Sequence, residues 1–270
     1  MERFLKSTRL SCMKLFFRNQ ALFIFLFLLL LVLFAGTESR AIASANDHKT
    51  EDLFIKRFSL FLKPLFEEIP AFQISIKGHF DVSEKNKEQK KPEQLLIFRN
   101  RQEWGICLES SWRNVAVIRT ATATKIVLPD AGKVFIGFNS QSSNDLLAPE
   151  GFARRFITPD TSLYGIFALM NSQSVETALK MFLAPKLKPL KSEEKNFFEF
   201  GLGNSFKLSL TQSGPVHLQL STTEKHKEIL AIKSFEIDYI ASPPETLSEK
   251  FSEKNLDSIT VSADDMNKMV

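Results

Sequence analysis

The chain has 270 residues, of which 35 are basic and 31 acidic, giving a formal net charge of +4. Residues 1–45 hold six of the basic and two of the acidic residues, which leaves 29 of each in the rest of the chain. This balance gives no electrostatic argument for a nucleic-acid partner. Two cysteines, Cys12 and Cys107, are too few for a disulfide-rich scaffold.

The first 45 residues have the layout of an export signal. Basic residues precede an unbroken apolar run over residues 21–35, and small residues follow it. That order, ending in an A-x-A site, is typical of a secretory signal peptide. Sites ending at Ala43 and at Ala45 both fit, and we favour cleavage after Ala45; Met13 is an alternative translation start. We expect an exported, periplasmic protein that is soluble after cleavage, with an uncleaved anchor in the inner membrane as the alternative.

The remaining part of the chain is long enough for one domain with a sizeable core. We assign residues 46–241 to a sheet-and-helix domain and residues 242–270 to a polar, flexible tail with a short helix near 245–251. Phenylalanine occurs 26 times, against two tyrosines and two tryptophans. A phenylalanine-rich interior is either a packed core or the lining of an apolar cavity. Cys107 is expected to be a small buried hydrophobe.

The first predicted element is an amphipathic helix over residues 50–66. Its apolar residues recur at i, i+3 and i+4, and Thr50 can cap its start. Pro64 is expected to kink or end the helix near Lys63. Residues 72–82 then alternate between apolar and polar side chains, which predicts a half-buried strand that Gly78 bends or bulges.

A charged tract over residues 84–93 is interpreted as a solvated hairpin loop. Short connectors then separate strand patterns, which predicts an antiparallel meander. These strands are expected at residues 94–100, 103–109, 113–120, 124–128 and 133–139. Helices are expected at 145–156, 162–170 and 174–183, and further strands at 196–203, 206–210, 216–220 and 227–240. Because every strand pattern alternates, we expect one wet face and one dry face covered by the helices.

No sequence motif indicates catalysis, a metal site or a nucleotide cofactor. HExxH, CxxC, GxSxG and P-loop patterns do not occur in the sequence. His79 and His217 lie at polar positions of alternating strands, where solvent exposure is the simpler interpretation. We therefore expect no enzyme activity, no catalytic residue and no cofactor.

The layout resembles a known family. A signal segment is followed by an amphipathic helix, an F-x-I-x-I-x-G strand (Phe72, Ile74, Ile76, Gly78), a long meander, and helices inserted before the final strands. This is similar to the periplasmic outer-membrane lipoprotein carrier family (LolA/LolB-like). The resemblance implies an α+β fold with a curved antiparallel sheet, an incomplete β-barrel of about ten strands. Its concave apolar face would be lidded by helices and would hold acyl chains.

The leading hypothesis is a non-enzymatic envelope carrier that binds a lipid or lipoprotein acyl chain in an apolar cavity. Envelope membrane proteins are left open as further partners, and no nucleic acid is expected. The alternative is a structural or interaction domain with a solid core. The expected cavity lining is Phe72, Ile74, Ile76, Trp104, Ile106, Phe138, Phe198 and Phe200 from the strands, with Phe58, Phe61 and Phe182 from the helical lid.

Overall fold

The computed structural model describes residues 45–80, 93–101, 103–109, 114–138, 173–190, 196–202, 206–222, 232–241, 256–262 and 265–266. The export signal up to residue 44 and the helices predicted at 145–156 and 162–170 therefore lie outside the described residues.

Helix α1 spans Ala45–Leu62 and is followed by one 3₁₀ turn, Lys63–Leu65. The helix begins five residues before the predicted cap Thr50, because the polar residues ahead of Thr50 do not interrupt it. Its end agrees with the prediction. Pro64 has no backbone N–H and clashes with a preceding turn, so the α-helix stops just before it. Helix α2 spans Val175–Phe182, and the Ser174 side chain caps it by accepting a hydrogen bond from the Thr177 backbone N–H.

Twelve strands are present in the described residues. They are β1 (Ala71–Phe80), β2 (Glu93–Asn100), β3 (Glu103–Glu109), β4 (Asn114–Arg119), β5 (Ala123–Leu128), β6 (Lys133–Phe138), β7 (Leu187–Pro189), β8 (Phe197–Leu202), β9 (Phe206–Thr211), β10 (Val216–Thr222), β11 (Ile232–Ile240) and β12 (Asp257–Val261).

All twelve strands belong to one sheet, in the order β12-β6-β5-β4-β3-β2-β1-β11-β10-β9-β8-β7. Neighbouring strands are antiparallel except β12, which runs parallel to β6. The predicted α+β class is confirmed. The sheet is larger than the predicted ten strands, and it is mixed rather than purely antiparallel. It is open, since β12 and β7 end the order at opposite edges.

The centre of the sheet joins two meanders that are far apart in sequence. Strands β1 to β6 pair in chain order, and β7 to β11 pair in chain order. Pairing of β1 with β11 merges the two series. The register of that pair shifts between His79 and Phe80, directly after Gly78, where the sequence predicts a bend or bulge. Strands β1 and β2 are antiparallel neighbours, as a hairpin loop at the charged tract between them requires.

Strand β12 lies within the segment 242–270 that the sequence assigns to a polar tail. Residues Asp257–Val261 extend the sheet beyond β6, and Met266 is buried against Val117, Ile126 and Phe135. Gly137 of β6 makes this possible, because a Cβ built on it would lie 2.8 Å from the Met266 Cβ. A side chain at position 137 would therefore keep the tail off the sheet.

A substitution at Gly137 tests whether this part of the tail packs on the sheet. Gly137→Ala is expected to lower the free energy of unfolding by about 1–3 kcal/mol, the usual cost of overpacking. The matched control is Gly201→Ala in β8, where the nearest atoms to an added Cβ are at 3.8 Å. Urea denaturation of both variants measures the effect. Equal midpoints for the two variants would mean that Met266 does not press on Gly137.

The sheet has two faces with different chemistry. We call face A the side that carries Phe72, Ile74 and Ile76, and face B the side that carries Gln73, Ser75 and Lys77. Face A is mostly apolar, and both helices pack on it in one buried cluster. Face B is polar over β8 to β11 and β1, where residues such as Glu199, Gln219 and Asp238 lie.

The expectation of one wet and one dry face is wrong for β2 to β6. Face B there carries a second apolar cluster, which contains Leu96, Phe98, Cys107, Ala116, Ile118, Val127 and Val134. Cys107 is buried in it, as predicted. Gly105 lets the Phe98 ring lie across β3, since an added Cβ would be 2.5 Å from two ring carbons. Both faces of these strands therefore carry buried apolar residues.

Candidate functional site

The candidate site is face A, where most of the predicted lining residues meet. Strand pairing places one residue of each strand in a line across the sheet. The line through Ile74 crosses nine strands, and we call it the central row. Its members are Val216, Tyr239, Ile74, Ile97, Ile106, Val117, Ile126, Phe135 and Ile259. Apart from the Tyr239 hydroxyl, no polar side chain interrupts this row.

The predicted strand residues occupy the central row and the rows beside it. Ile74 and Ile106 belong to the central row itself. Phe72 and Trp104 share the next row on one side, through Arg99 of β2. Ile76 and Phe198 share the next row on the other side. Phe200 lies one row further on. These seven residues are therefore on one face, as the sequence predicts.

Phe138 is the exception and requires a correction. Strand β6 places Phe135 on face A, so Val134, Ile136 and Phe138 point to face B. Phe138 is 65% exposed at the end of its strand. The prediction for Phe138 is wrong because β6 has apolar residues at both its odd and its even positions. A period of two then identifies a strand without identifying its inner face.

The helix phenylalanines contact the sheet directly. The rings of Phe54 and Phe200 have centroids 4.7 Å apart, and Phe54 stacks on Phe58 at 5.8 Å. Phe61 meets Phe58 at 6.1 Å and Tyr239 at 6.4 Å, both edge to face. Such ring pairs contribute about 0.5–1.5 kcal/mol each beyond their buried area. Phe182 of α2 is half-buried against the same cluster. The space between α1 and β8 is thus filled by side chains.

Hydrogen bonds and ion pairs of side chains hold the two helices in place. Arg57 Nη2 donates to the Gly214 carbonyl at 3.1 Å and to Thr211 Oγ1 at 3.3 Å, which ties α1 to the β9–β10 turn. Burial lowers the pKa of this guanidinium. Lys180 Nζ lies 3.3 Å from Asp52 Oδ1 and 3.4 Å from Glu176 Oε1, which links α2 to α1. The hydrogen bond to Asp52 raises the pKa of Lys180 most, and the hydrogen bond to Glu176 raises it further.

A few apolar side chains of face A beyond α1 are only half-buried. Ile106 and Val115 are only half-buried at the margin of the helix-covered cluster, and Leu128 is half-buried beside the cluster that Met266 completes. Tyr239 is half-buried too, and burial raises the pKa of its hydroxyl. The apolar surface left on face A of β3, β4 and β5 is therefore that of these half-buried side chains, since the other apolar residues of face A there are buried.

His217, Asp238 and Ser75 on face B do not have the geometry of a nucleophilic triad. His217 Nδ1 lies 2.7 Å from Asp238 Oδ1, and Asp238 is paired in register with Ser75. Catalysis by a serine would need the imidazole between the hydroxyl and the carboxylate. Here the carboxylate stands between them, and Ser75 Oγ accepts a hydrogen bond from Gln94 Nε2 at 2.9 Å. Across the described ranges, no group of three or more His, Cys, Asp or Glu side chains could hold a metal ion.

Sequence reasoning missed two arginines on face A. Arg99 and Arg119 share the row of Phe72 and Trp104, at the ends of β2 and β4. Each arginine follows apolar residues that lie two and four positions earlier in its strand, so strand alternation places all three side chains on the same face. That phase is the signal that could have placed them on the apolar face.

Within the part of the chain that the structure describes, no helix combines the length and the apolar character needed to cross a membrane.

Comparisons with known proteins give a likeness to solved structures. Neither a scan against protein-family models nor a search of curated proteins found a match. Among solved structures, the chain is similar to an uncharacterized conserved protein from Thermus thermophilus, at 7% sequence identity and a TM-score of 0.25. The alignment covers 80% of this chain and 99% of that one. A TM-score this low carries no argument about fold or function.

Proposed function

We propose that this protein is an exported, non-enzymatic carrier that binds the acyl chain of a lipid or lipoprotein on face A. The observation that carries the proposal is the apolar central row across nine strands. In this proposal the sheet curves into an incomplete barrel, and α1 and α2 cover its concave face. The order of helix, six strands, helix and six further strands supports the proposal, because the resemblance to periplasmic lipoprotein carriers rests on a helix, a long meander and helices before the final strands.

The acyl chain is proposed to lie over β3, β4 and β5 rather than under α1. Ring contacts already fill the space between α1 and β8, so a ligand there would have to displace Phe54 or Phe58. Ile106, Val115 and Leu128 offer apolar surface that is only half-buried. Each methylene group that leaves water contributes about 0.8 kcal/mol. A chain of ten or so methylenes therefore has enough driving force to bind without a polar anchor.

The second candidate is an interaction or structural domain with a solid core. The close contact of Phe54 with Phe200 favours it, since that part of the interior has no room for a ligand. The two candidates differ in the fate of a free acyl chain. A carrier takes it up on face A, whereas a solid domain ignores it.

A fluorescent fatty acid distinguishes the two candidates. We expect cis-parinaric acid to bind the exported, processed protein, and Ile106→Gln to weaken binding about tenfold or more, because the amide loses its hydration against an apolar ligand. The matched control is Ile136→Gln. Ile136 is also a half-buried strand isoleucine but lies on face B. Fluorescence titration gives both dissociation constants.

Two results would contradict the proposal. Wild-type protein that gives no saturable signal is not an acyl carrier. Equal weakening by Ile106→Gln and Ile136→Gln would place the ligand away from face A. Circular dichroism of both variants must match the wild type for the comparison to hold.

A further inference from the structure

Two different parts of the chain cover the central row. Its members in β10, β11, β1 and β2 belong to, or pack against, the buried cluster that includes α1 and α2. Its members in β4, β5 and β6 are Val117, Ile126 and Phe135, which form a separate buried cluster with Met266. None of these four side chains is more than 6% exposed. The β4–β6 part of the row is therefore buried under a residue that follows β12.

A capped turn presents Met266 to the sheet. The Met266 backbone N–H donates to the Ser262 carbonyl at 2.9 Å, and the Asp265 N–H donates to Ser262 Oγ at 3.1 Å. The Ser262 hydroxyl in turn donates to Asp265 Oδ2 at 2.8 Å. We call β12 together with Ser262, Asp265 and Met266 the C-terminal strap. Its turn sets Met266 directly over Gly137 of β6.

The C-terminal strap has few attachments to the rest of the sheet. In the described sheet β12 is an edge strand, and its pairing with β6 is parallel. Parallel pairs are slightly less stable per residue than antiparallel pairs. The three polar residues of β12 are exposed and its two apolar residues are half-buried. Among the described residues of the strap, Met266 is thus the one whose side chain is fully buried.

The Met266 side chain has the character of a short piece of acyl chain. It is unbranched, flexible and apolar, so it fills an irregular gap without requiring one fixed shape. An acyl chain of about ten methylene groups presents several times as much apolar surface, and burial is favourable in proportion to that surface. An acyl chain that replaces Met266 therefore keeps the central row buried and buries its own apolar surface as well.

We infer that the C-terminal strap is a displaceable cover of the acyl site, and that the bound chain takes the place of Met266 on Val117 and Ile126. This inference rests on the proposed function and describes how its site is closed. The chain first gains contact at the half-buried Ile106 and Val115 beside the cover. Strap and ligand compete for one surface, so the apparent affinity is reduced by the fraction of molecules in which that surface is open.

Truncation of Met266 tests this competition. Met266→Ala is expected to bind cis-parinaric acid about fivefold or more tightly than the wild type, because the open form becomes more populated. Gly137→Ala is expected to act in the same direction, since its Cβ would lie 2.8 Å from the Met266 Cβ and push the strap away. The matched control is Met181→Ala, which truncates a methionine that is 57% exposed on α2 and is expected to bind like the wild type. Fluorescence titration gives the four dissociation constants.

Hydrogen exchange reports on the strap itself. The Asp257 N–H donates to the Gly132 carbonyl at 2.8 Å, in the pairing that holds β12 to β6. Saturating cis-parinaric acid is expected to speed exchange over residues 257–262 of the wild type by about threefold or more, because a displaced strap loses this pairing. Strand β10, in the middle of the other meander, is the internal reference and is expected to keep its rate.

The results separate this inference from the proposed function. Saturable binding by the wild type supports the carrier function whatever the strap does. The inference requires tighter binding by Met266→Ala and faster exchange over residues 257–262, and the absence of either one overturns it. Weaker binding by Met266→Ala would make Met266 part of the binding surface instead of its competitor. A wild type that binds no acyl probe contradicts the carrier function itself.

Discussion

Val127→Asp is expected to prevent folding. Val127 has no exposed surface and lies on face B of β5, in the cluster with Leu96, Cys107 and Ala116. An unpaired carboxylate at such a position costs several kcal/mol, whether it is buried charged or takes up a proton. Total stabilities of about 5–15 kcal/mol leave little margin for that cost. Yield of folded protein and urea denaturation measure the effect.

The matched control for Val127→Asp is Gln219→Asp. Gln219 also lies on face B, but in β10, where that face is polar and its side chain is exposed. Its substitution is expected to change the free energy of unfolding by no more than about 0.5 kcal/mol. If both aspartate variants were equally stable, face B of β5 would be wet, as simple alternation predicts for every strand.

Phe54→Ala is expected to lower the free energy of unfolding by about 3–5 kcal/mol. Phe54 is fully buried, stacks on Phe58 and meets Phe200 of β8. Truncation removes the transfer free energy of the ring and leaves a cavity between α1 and the sheet. The measurement is chemical denaturation monitored by circular dichroism.

The neighbouring residue provides the control for Phe54→Ala. Leu53 is 47% exposed on the outer side of the same helix turn, so Leu53→Ala removes little buried surface. Alanine suits both helix positions, so intrinsic helix propensity does not separate the two variants. Similar losses of stability for both would mean that α1 does not dock on the sheet through Phe54.

Local pattern predicts the strands well, because alternation and turn residues are local properties. Strand β3 has the predicted bounds, 103–109, and Ser174 caps α2 where the sequence places its start. The failures are non-local. Strand β7 has three residues and ends at Pro189, too short for a periodic signal. Strand β12 has apolar residues only at Ile259 and Val261, within an otherwise polar stretch. Pairing with β6, which is distant in sequence, determines its structure.

The sequence predicts most residues of the candidate site but not how they are arranged. Seven of the predicted strand residues share face A because each strand phase was correctly recognised. Phe138 was misplaced, since its strand is apolar in both phases. Phe54 was not singled out, because a helix stripe does not indicate which ring meets the sheet. Arg99 and Arg119 became neighbours of Trp104 only through the register of β2, β3 and β4.

Native mass spectrometry of the protein recovered from the envelope of the producing cell tests the carrier function most directly. The processed chain is expected to carry mass in excess of the polypeptide, which organic extraction releases as a lipid with one or more acyl chains. The Ile106→Gln variant should carry less of it, and the Ile136→Gln variant as much as the wild type. A wild-type mass equal to that of the bare polypeptide, in a protein that also fails to bind cis-parinaric acid, would contradict the proposed function.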